Sequence, residues 1–243
     1  MRSLCLLAAL CSPLAFAQVL SVAPNSLLRL PGNTHVLQLE RLEVADHGTL
    51  LVPAGITQLS VGELHLGHEA RIAIVPGEQS FELRASRAEL GSGSQITARG
   101  TPGNYQKAPL PGRNLNLRID ALSGPLLSVD ARGGTGTPGY VGLDGAHGEE
   151  PGCTWGQAGR GADGDNGGDG RPGAPGAQVR VELPRDYPVE QIKVQVDGGP
   201  AGPAGRPGAG GKSKGCFVYK AAGGKSGRAG LAGQPGPRGR RVA

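Results

Sequence analysis

The sequence predicts a mainly β protein: a β-solenoid, or β-helix-like, N-terminal half, a glycine-rich polyproline II array, and almost no α-helix after a signal peptide. Apolar residues alternate between residues 40 and 98 and repeat about every 22 residues, and glycine recurs at every third position in the second half. The composition agrees, because 44 glycines, 20 prolines and eight aromatic residues cannot fill a thick core.

The chain divides into three parts on this basis. We expect a signal peptide at 1–17, a solenoid-like domain at 18–132, and a glycine-rich polyproline II region at 133–243 with a strand-like insert at 177–197.

The first residues have the pattern of a secretory signal peptide. Arg2 is followed by a short apolar run and by the small-residue ending Ala15-Phe16-Ala17, so cleavage is expected before Gln18. The apolar run is far shorter than the ~20 residues of a membrane span. We therefore expect an exported protein without a membrane span, in the periplasm, at the cell surface or outside the cell.

The solenoid prediction depends on one repeat. Leu42, Val44, Leu50, Val52, Leu59 and Val61 are matched one repeat later by Leu64, Leu66, Ile72, Ile74, Phe81 and Leu83. A repeat of this length with three short strands is typical of one coil of a parallel β-helix. A third copy is interrupted by "RGTPGNYQKAPLPGR", residues 99–113. The alternative is a β-sandwich whose hairpins resemble one another.

Glycine occupies every third position in four runs, at 136–148, 161–176, 199–211 and 224–239. The breaks between them make the runs read as two hairpins. Polyproline II has three residues per turn and no internal hydrogen bonds. Glycine on one edge then lets neighbouring backbones approach closely enough to bond one another.

Two features favour folding of the runs within one chain over a collagen trimer. Cys153 and Cys216 lie at equivalent hairpin tips, and two cysteines in an oxidising compartment most simply form one disulfide. Charge is also sorted, because residues 133–176 are net acidic and residues 197–243 are strongly basic. Oppositely charged hairpins attract, whereas three copies of either would repel.

The stretch "SVDARGGTGTPG", followed by triplet glycine, resembles the glycine-rich, collagen-like secreted proteins of Gram-negative bacteria. The single-chain packing is similar to the polyproline II bundles of glycine-rich phage tail-fibre adhesins and of a glycine-rich insect antifreeze protein. This resemblance covers residues 130–243. It implies a packed array of polyproline II runs and a role in adhesion, but it is weak evidence for any particular activity.

Few residues suggest chemistry. Asp163, Asp165 and Asp169 have a spacing that calcium loops use, but solvated aspartates are the stronger interpretation. His65 and His68 could chelate a metal across a turn, although ordinary surface histidines are more common. No cofactor is predicted. The acids available for catalysis show no defensible pairing: Asp46, Glu63, Glu69 and Asp120.

The predicted function is that of a non-enzymatic secreted or cell-envelope protein presenting a disulfide-stapled surface for adhesion, ligand binding or assembly. The expected partners are anionic polysaccharide, lipopolysaccharide or another envelope protein; nucleic acid is not expected, because interleaved aromatic residues are missing. The candidate basic surface comprises Lys212, Lys214, Lys220, Lys225, Arg228, Arg238, Arg240 and Arg241. The alternatives are a structural subunit of a sheath or fibre and a polysaccharide-active β-helix enzyme.

Overall fold

The computed structural model describes residues 18–149, 159–215 and 221–242, and the predicted signal peptide lies outside them. These residues form thirteen strands and one short 3-10 helix, Val189–Gln191. The strands are β1 (Val19–Val22), β2 (Leu27–Arg29), β3 (Val36–Val44), β4 (Thr49–Val52), β5 (Gln58–Leu66), β6 (Arg71–Ile74), β7 (Phe81–Leu90), β8 (Gln95–Thr97), β9 (Leu115–Ser123), β10 (Leu127–Asp130), β11 (Gln178–Glu182), β12 (Ile192–Gln195) and β13 (Arg240–Val242). No α-helix occurs in this part of the chain.

The strands form two parallel sheets. Sheet 1 has the order β1-β3-β5-β7-β9-β11-β13, and sheet 2 has the order β12-β10-β8-β6-β4-β2. The chain therefore alternates between the sheets, and each coil stacks on the one before it. The mainly β, solenoid-like prediction is confirmed, and the alternative of a sandwich built from hairpins is wrong, because hairpins would pair antiparallel.

The pairing register reproduces the sequence repeat. Leu42 pairs with Leu64, and Leu50 pairs with Ile72, so each residue meets its equivalent in the following repeat. The next coil is longer: Leu59 pairs with Leu83 and not with Phe81. The difference arises because the connection after β6 holds two extra residues before the strand resumes.

The core is a single stack of aliphatic side chains between the two sheets. Leu42, Leu50 and Ile72 are fully buried, and burying such a side chain stabilises the fold by about 1.5–3 kcal/mol. The stack continues into the second half of the chain through Val179 and Val196. The strand-like insert at 177–197 thus contains β11 and β12, which extend the sheets of the first half.

The two kinds of corner in this solenoid differ greatly. Turns from sheet 1 to sheet 2, which we call the short corner, are mostly four residues long, as in 45–48 and 67–70. Connections from sheet 2 back to sheet 1, the long corner, are short in the first three coils and much longer in the last three: 30–35, 53–57, 75–80, 98–114, 131–177 and 196–239. The glycine runs lie in the two longest of these connections, so the chain enters and leaves each hairpin through a strand of the solenoid.

A buried arginine closes the long corner where the connections begin to lengthen. Arg113 is 1% exposed, and its guanidinium lies 5.5 Å from the Phe81 ring. Burial lowers the pKa of Arg113. The guanidinium donates hydrogen bonds to the carbonyl oxygens of Ala54, Ile56, Val75 and Gln79. Three successive connections are held together by this one side chain.

An ion pair marks the point where the chain leaves β10 for the first glycine hairpin. The buried Asp130 carboxylate accepts hydrogen bonds from Arg132 at 2.8 and 2.9 Å, and Arg99 lies 3.6 Å away. Burial alone would raise the pKa of Asp130, but the hydrogen bonds and charge of Arg132, together with Arg99, hold it below its ordinary value. The charged carboxylate is therefore the form that the fold stabilises.

This ion pair predicts a defined pH dependence of stability. Because the folded-state pKa of Asp130 is lowered, its contribution is present above the unfolded value and is lost as pH falls through the folded pKa. The variant Asp130→Asn should be less stable than wild type at neutral pH, and the difference should shrink below about pH 4. Chemical unfolding at a series of pH values measures it.

The matched control is Asp120→Asn, since Asp120 is 63% exposed and lies 3.5 Å from Arg118. This substitution should change stability little at any pH. A constant difference between wild type and Asp130→Asn across the acid range would contradict the assignment.

Candidate binding surface

The four glycine runs are joined by backbone hydrogen bonds with a three-residue repeat. The glycines from Gly136 to Gly148 donate to every third carbonyl from Pro200 to Lys212, at 2.8–2.9 Å. The glycines from Gly161 to Gly176 donate in the same way to residues 222–237, at 2.8–3.3 Å. We number the runs in chain order: run 1 (136–148), run 2 (161–176), run 3 (199–211) and run 4 (224–239). Runs 1 and 3 are thus parallel neighbours, and runs 2 and 4 are parallel neighbours.

Antiparallel bonds join these two layers. Run 2 donates to run 1, as from Asp165 to the Leu143 carbonyl at 2.8 Å, and run 3 donates to run 2, as from Gly208 to the Asp165 carbonyl at 2.9 Å. Run 4 donates to run 3. The layer of runs 1 and 3 continues strands of sheet 2, while that of runs 2 and 4 leads into strands of sheet 1.

The shorter connection 98–114 belongs to the same arrangement. Gly100 and Gly103 donate to the carbonyls of Arg132 and Thr135, each at 2.8 Å. Gly134 in turn donates to Leu110 at 3.0 Å. The segment that interrupts the sequence repeat is therefore a small first hairpin of the array, and it covers the base of run 1.

Glycine is required where two runs touch. A Cβ at Gly205 would overlap the carbonyl oxygen of Tyr140 and lie 2.9 Å from the amide nitrogen of Gly168. These obstacles are backbone atoms, so they cannot move without breaking hydrogen bonds on both sides. Gly223 differs, because a Cβ there would meet nothing nearer than 3.4 Å.

Gly205→Ala should destabilise the protein by about 1–3 kcal/mol or more, because the methyl group forces runs 1, 2 and 3 apart. Gly223→Ala is the control, since it makes the same change in the unfolded chain without a clash and should be neutral or slightly stabilising. Guanidinium unfolding measures both. Equal stability of the two variants would show that the runs do not pack through this glycine.

Side chains at the third position of a triplet provide a second set of bonds. In run 2, Asp163 and Asp169 accept the backbone N–H groups of Lys225 and Leu231 in run 4, each at 2.7 Å. Asn166 does the same for Arg228. Run 1 bonds run 3 alike, through Asp144 to Ala209 and His147 to Lys212.

These bonds involve two of the three aspartates whose sequence spacing suggested a calcium site, Asp163 and Asp169. One carboxylate oxygen of Asp163 and one of Asp169 is engaged by backbone, and Asp165 is exposed. Among the described residues, a cluster of three potential metal ligands occurs elsewhere, at the short corner. The aspartates at 163 and 169 therefore have an observed role in joining run 2 to run 4.

Asp163→Ala should cost about 1 kcal/mol of stability, since the N–H of Lys225 loses its acceptor. Asp165→Ala removes the same charge from the same run, but the Asp165 carboxylate bonds no described residue, so this variant should keep wild-type stability. Thermal unfolding of both variants compares them. A larger loss in Asp165→Ala would refute the assignment.

The basic residues proposed from sequence lie along the outer hairpin. Run 4 and β13 form the last members of their layer, since β13 ends the strand order of sheet 1. Every described member of the candidate basic surface is exposed: Lys212, Lys214, Lys225, Arg228, Arg238, Arg240 and Arg241. Arg238 pairs with Asp197 at 3.2 Å. Positive charge on run 4 and β13 therefore falls in two groups, Lys225 with Arg228 toward the far end and Arg238, Arg240 and Arg241 at the base, with no charged residue between them.

The far end of the array lies only partly within the described residues. The predicted disulfide between Cys153 and Cys216 lies outside them, as does Lys220. The backbone N–H of Lys214 donates to Gly159 at 3.1 Å, so the described ends of the two hairpins meet there.

Exposed apolar side chains cluster on run 1 beside the small hairpin. Tyr140, Val141 and Leu143 expose 62–73% of their surface. The hydroxyl of Tyr105, a second exposed aromatic residue, donates to the Gly139 carbonyl at 3.4 Å, next to Tyr140 in sequence. The sequence analysis missed this patch. The stretch "GYVGL", residues 139–143, could have predicted it, because its non-glycine residues are all large and apolar or aromatic.

A groove on the outer face of sheet 1 bears on the enzyme alternative. The pairing of strands β5, β7 and β9 skips Gly62, Ser86 and Asp120, and an open groove of about 470 Å³ is lined by these residues. Arginines on its walls pair with acids, as Arg118 does with Asp120.

The acids singled out from sequence are dispersed. Glu63 lies in a second stretch of this groove and pairs with Arg87 at 3.4 Å, and Asp120 pairs with Arg118. The other two lie at the short corner: Asp46 and Glu69. His65 and His68 have different neighbours: His65 contacts Glu89, whereas His68 contacts Ser92 and Glu69.

The protein is thus a two-sheet parallel β-solenoid whose long corner carries a hydrogen-bonded array of glycine runs. Comparisons with known protein families, curated proteins and solved structures find no match. In the described part of the chain, no helix is long and apolar enough to cross a membrane.

Proposed function

We propose that this chain is a non-enzymatic binding protein, exported to the envelope or beyond, whose glycine runs are polyproline II helices presenting a stiff surface for adhesion. The observation that carries the proposal is the bonding of all four runs within one chain. The three-residue repeat of these bonds, on donor and acceptor runs alike, is the period of polyproline II.

Stiffness follows from the same bonds. An isolated polyproline II helix is fully solvated, whereas each run here is bonded to two or three others and anchored in the solenoid at its base. A preorganised surface loses little conformational entropy on binding. The segments that the Lys214–Gly159 bond brings together lead to Cys153 and Cys216, which supports the proposed disulfide and a monomer over a collagen trimer.

The proposed ligand is an anionic polymer such as an acidic polysaccharide or lipopolysaccharide. The outer edge carries exposed basic side chains near both of its ends, among them Lys225, Arg228 and Arg240. Cations fixed on a rigid edge attract an extended polyanion that can reach both groups. The apolar patch around Tyr140 offers a second contact, for sugar rings or lipid.

The triple variant Lys225→Gln, Arg228→Gln, Arg240→Gln should bind immobilised acidic polysaccharide or lipopolysaccharide about tenfold more weakly or worse. The matched control is Arg29→Gln, Arg71→Gln, Arg185→Gln, which removes the same charge from exposed solenoid positions and should bind like wild type. Raising salt from about 0.05 M to about 0.5 M should weaken wild-type binding.

Two results would contradict the proposal. Equal loss in both triple variants would mean that net charge, and not the edge, drives binding. Unchanged binding with new self-association of the edge variant would mean that these charges only prevent another chain from pairing with the exposed edge.

A further inference from the structure

The short corner stacks four similar turns. Hydrogen bonds close three of them, from Gly48 to Ala45, Ala70 to Gly67 and Ser94 to Gly91, at 2.9–3.3 Å. The third residue of each turn has a left-handed backbone, with φ of 52° at Asn25, 56° at His47, 50° at Glu69 and 74° at Gly93. Because the coils are in register, these four residues lie above one another.

Glutamate is unusual at this position. Glycine and asparagine adopt the left-handed region readily and histidine is also enriched there, while a side chain such as glutamate loses about 1–2 kcal/mol. The two middle coils nevertheless place His47 and Glu69 at the position that Asn25 and Gly93 occupy in the outer ones. Backbone strain at one residue of a regular turn is typical of functional sites.

His47, His68 and Glu69 converge at this corner. The Nδ1 atom of His47 lies 3.2 Å from one carboxylate oxygen of Glu69, and the Nε2 atom of His68 lies 3.8 Å from the other. The two imidazole rings are 5.3 Å apart and nearly perpendicular. One ligand atom from each of the three residues falls within 4.8 Å of the others, and all three residues are exposed.

Neighbouring groups fix His68 in place. Its Nδ1 atom is 2.8 Å from the hydroxyl of Ser92 in the next coil, and its backbone N–H donates to the Asp46 carboxylate at 2.7 Å. A hydrogen bond to one ring nitrogen of a histidine sets the tautomer and turns the other nitrogen toward a metal. The Nε2 atom of His68 is thereby oriented toward Glu69.

We propose that His47, His68 and Glu69 bind a divalent transition metal ion, for which Zn²⁺ is the best fit. Two imidazoles and one carboxylate are a known ligand set for zinc, and three protein ligands leave one position for water or a donor from another molecule. Imidazole also disfavours Ca²⁺ and Mg²⁺, which take oxygen ligands. The site is independent of the glycine runs and of the proposed adhesive function.

A titration of the tag-free mature protein with ZnCl₂ tests the site by calorimetry, and an assay for free thiols checks that no thiolate of Cys153 or Cys216 can bind the ion. We expect one saturable Zn²⁺ per chain. The variant His47→Asn should weaken binding by at least about tenfold. Asparagine tolerates the left-handed backbone, as Asn25 does, so this variant should remain folded.

The control is His65→Asn, because His65 is partly exposed on the solenoid and lies beside a glutamate, Glu89, at 3.2 Å. It should bind Zn²⁺ like the parent protein. Zinc should raise the unfolding temperature of the parent and of His65→Asn but not of His47→Asn, since the ion links two coils. No saturable binding, or equal binding by His47→Asn, would overturn the proposal.

Discussion

Contact between backbones, without intervening side chains, is the constraint on which the second half of this protein depends. The runs donate from glycine to a carbonyl of the neighbouring run, and a Cβ at positions such as Gly205 would overlap that carbonyl. The packing energy therefore comes from many hydrogen bonds and close contacts and not from buried apolar side chains. This explains how a chain with so few aromatic residues can order its second half.

The solenoid provides what these runs lack on their own. The backbone hydrogen bonds observed in the described parts of the runs go to neighbouring runs, so nothing within one run fixes its position along its neighbour. Here strands β8, β10 and β12 pair in register, so the connections that follow them start from equivalent positions in successive coils. Arg113 and the Asp130–Arg132 pair hold the backbone at that junction, so the register of the sheets passes into the array.

The sequence predicted the architecture well wherever a period was visible. Alternation with a regular repeat identified the coils, and triplet glycine identified the runs. It did not show that β11 and β12 extend the same two sheets, because a whole glycine hairpin separates them in sequence from their partners β9 and β10. The function of Asp163 as an acceptor was also hidden, since it depends on which runs are neighbours.

The short-corner histidines show a similar limit: "HLGH" drew attention to His65 and His68, but His47 and Glu69 occupy equivalent places in successive turns. Comparing the repeats position by position, and not only their apolar residues, would have paired them.

The anchoring of both hairpins at one end has a mechanical and evolutionary consequence. The array projects from the solenoid like a beam, and its length is set by how many triplets each run contains. Adding one triplet to every run would preserve all the pairings and, with the proposed polyproline II geometry, extend the beam by about 9 Å. Adding one to a single run would displace the glycines of that run from their partners. Reach can therefore change only in coordinated steps, while the fold at the base stays the same.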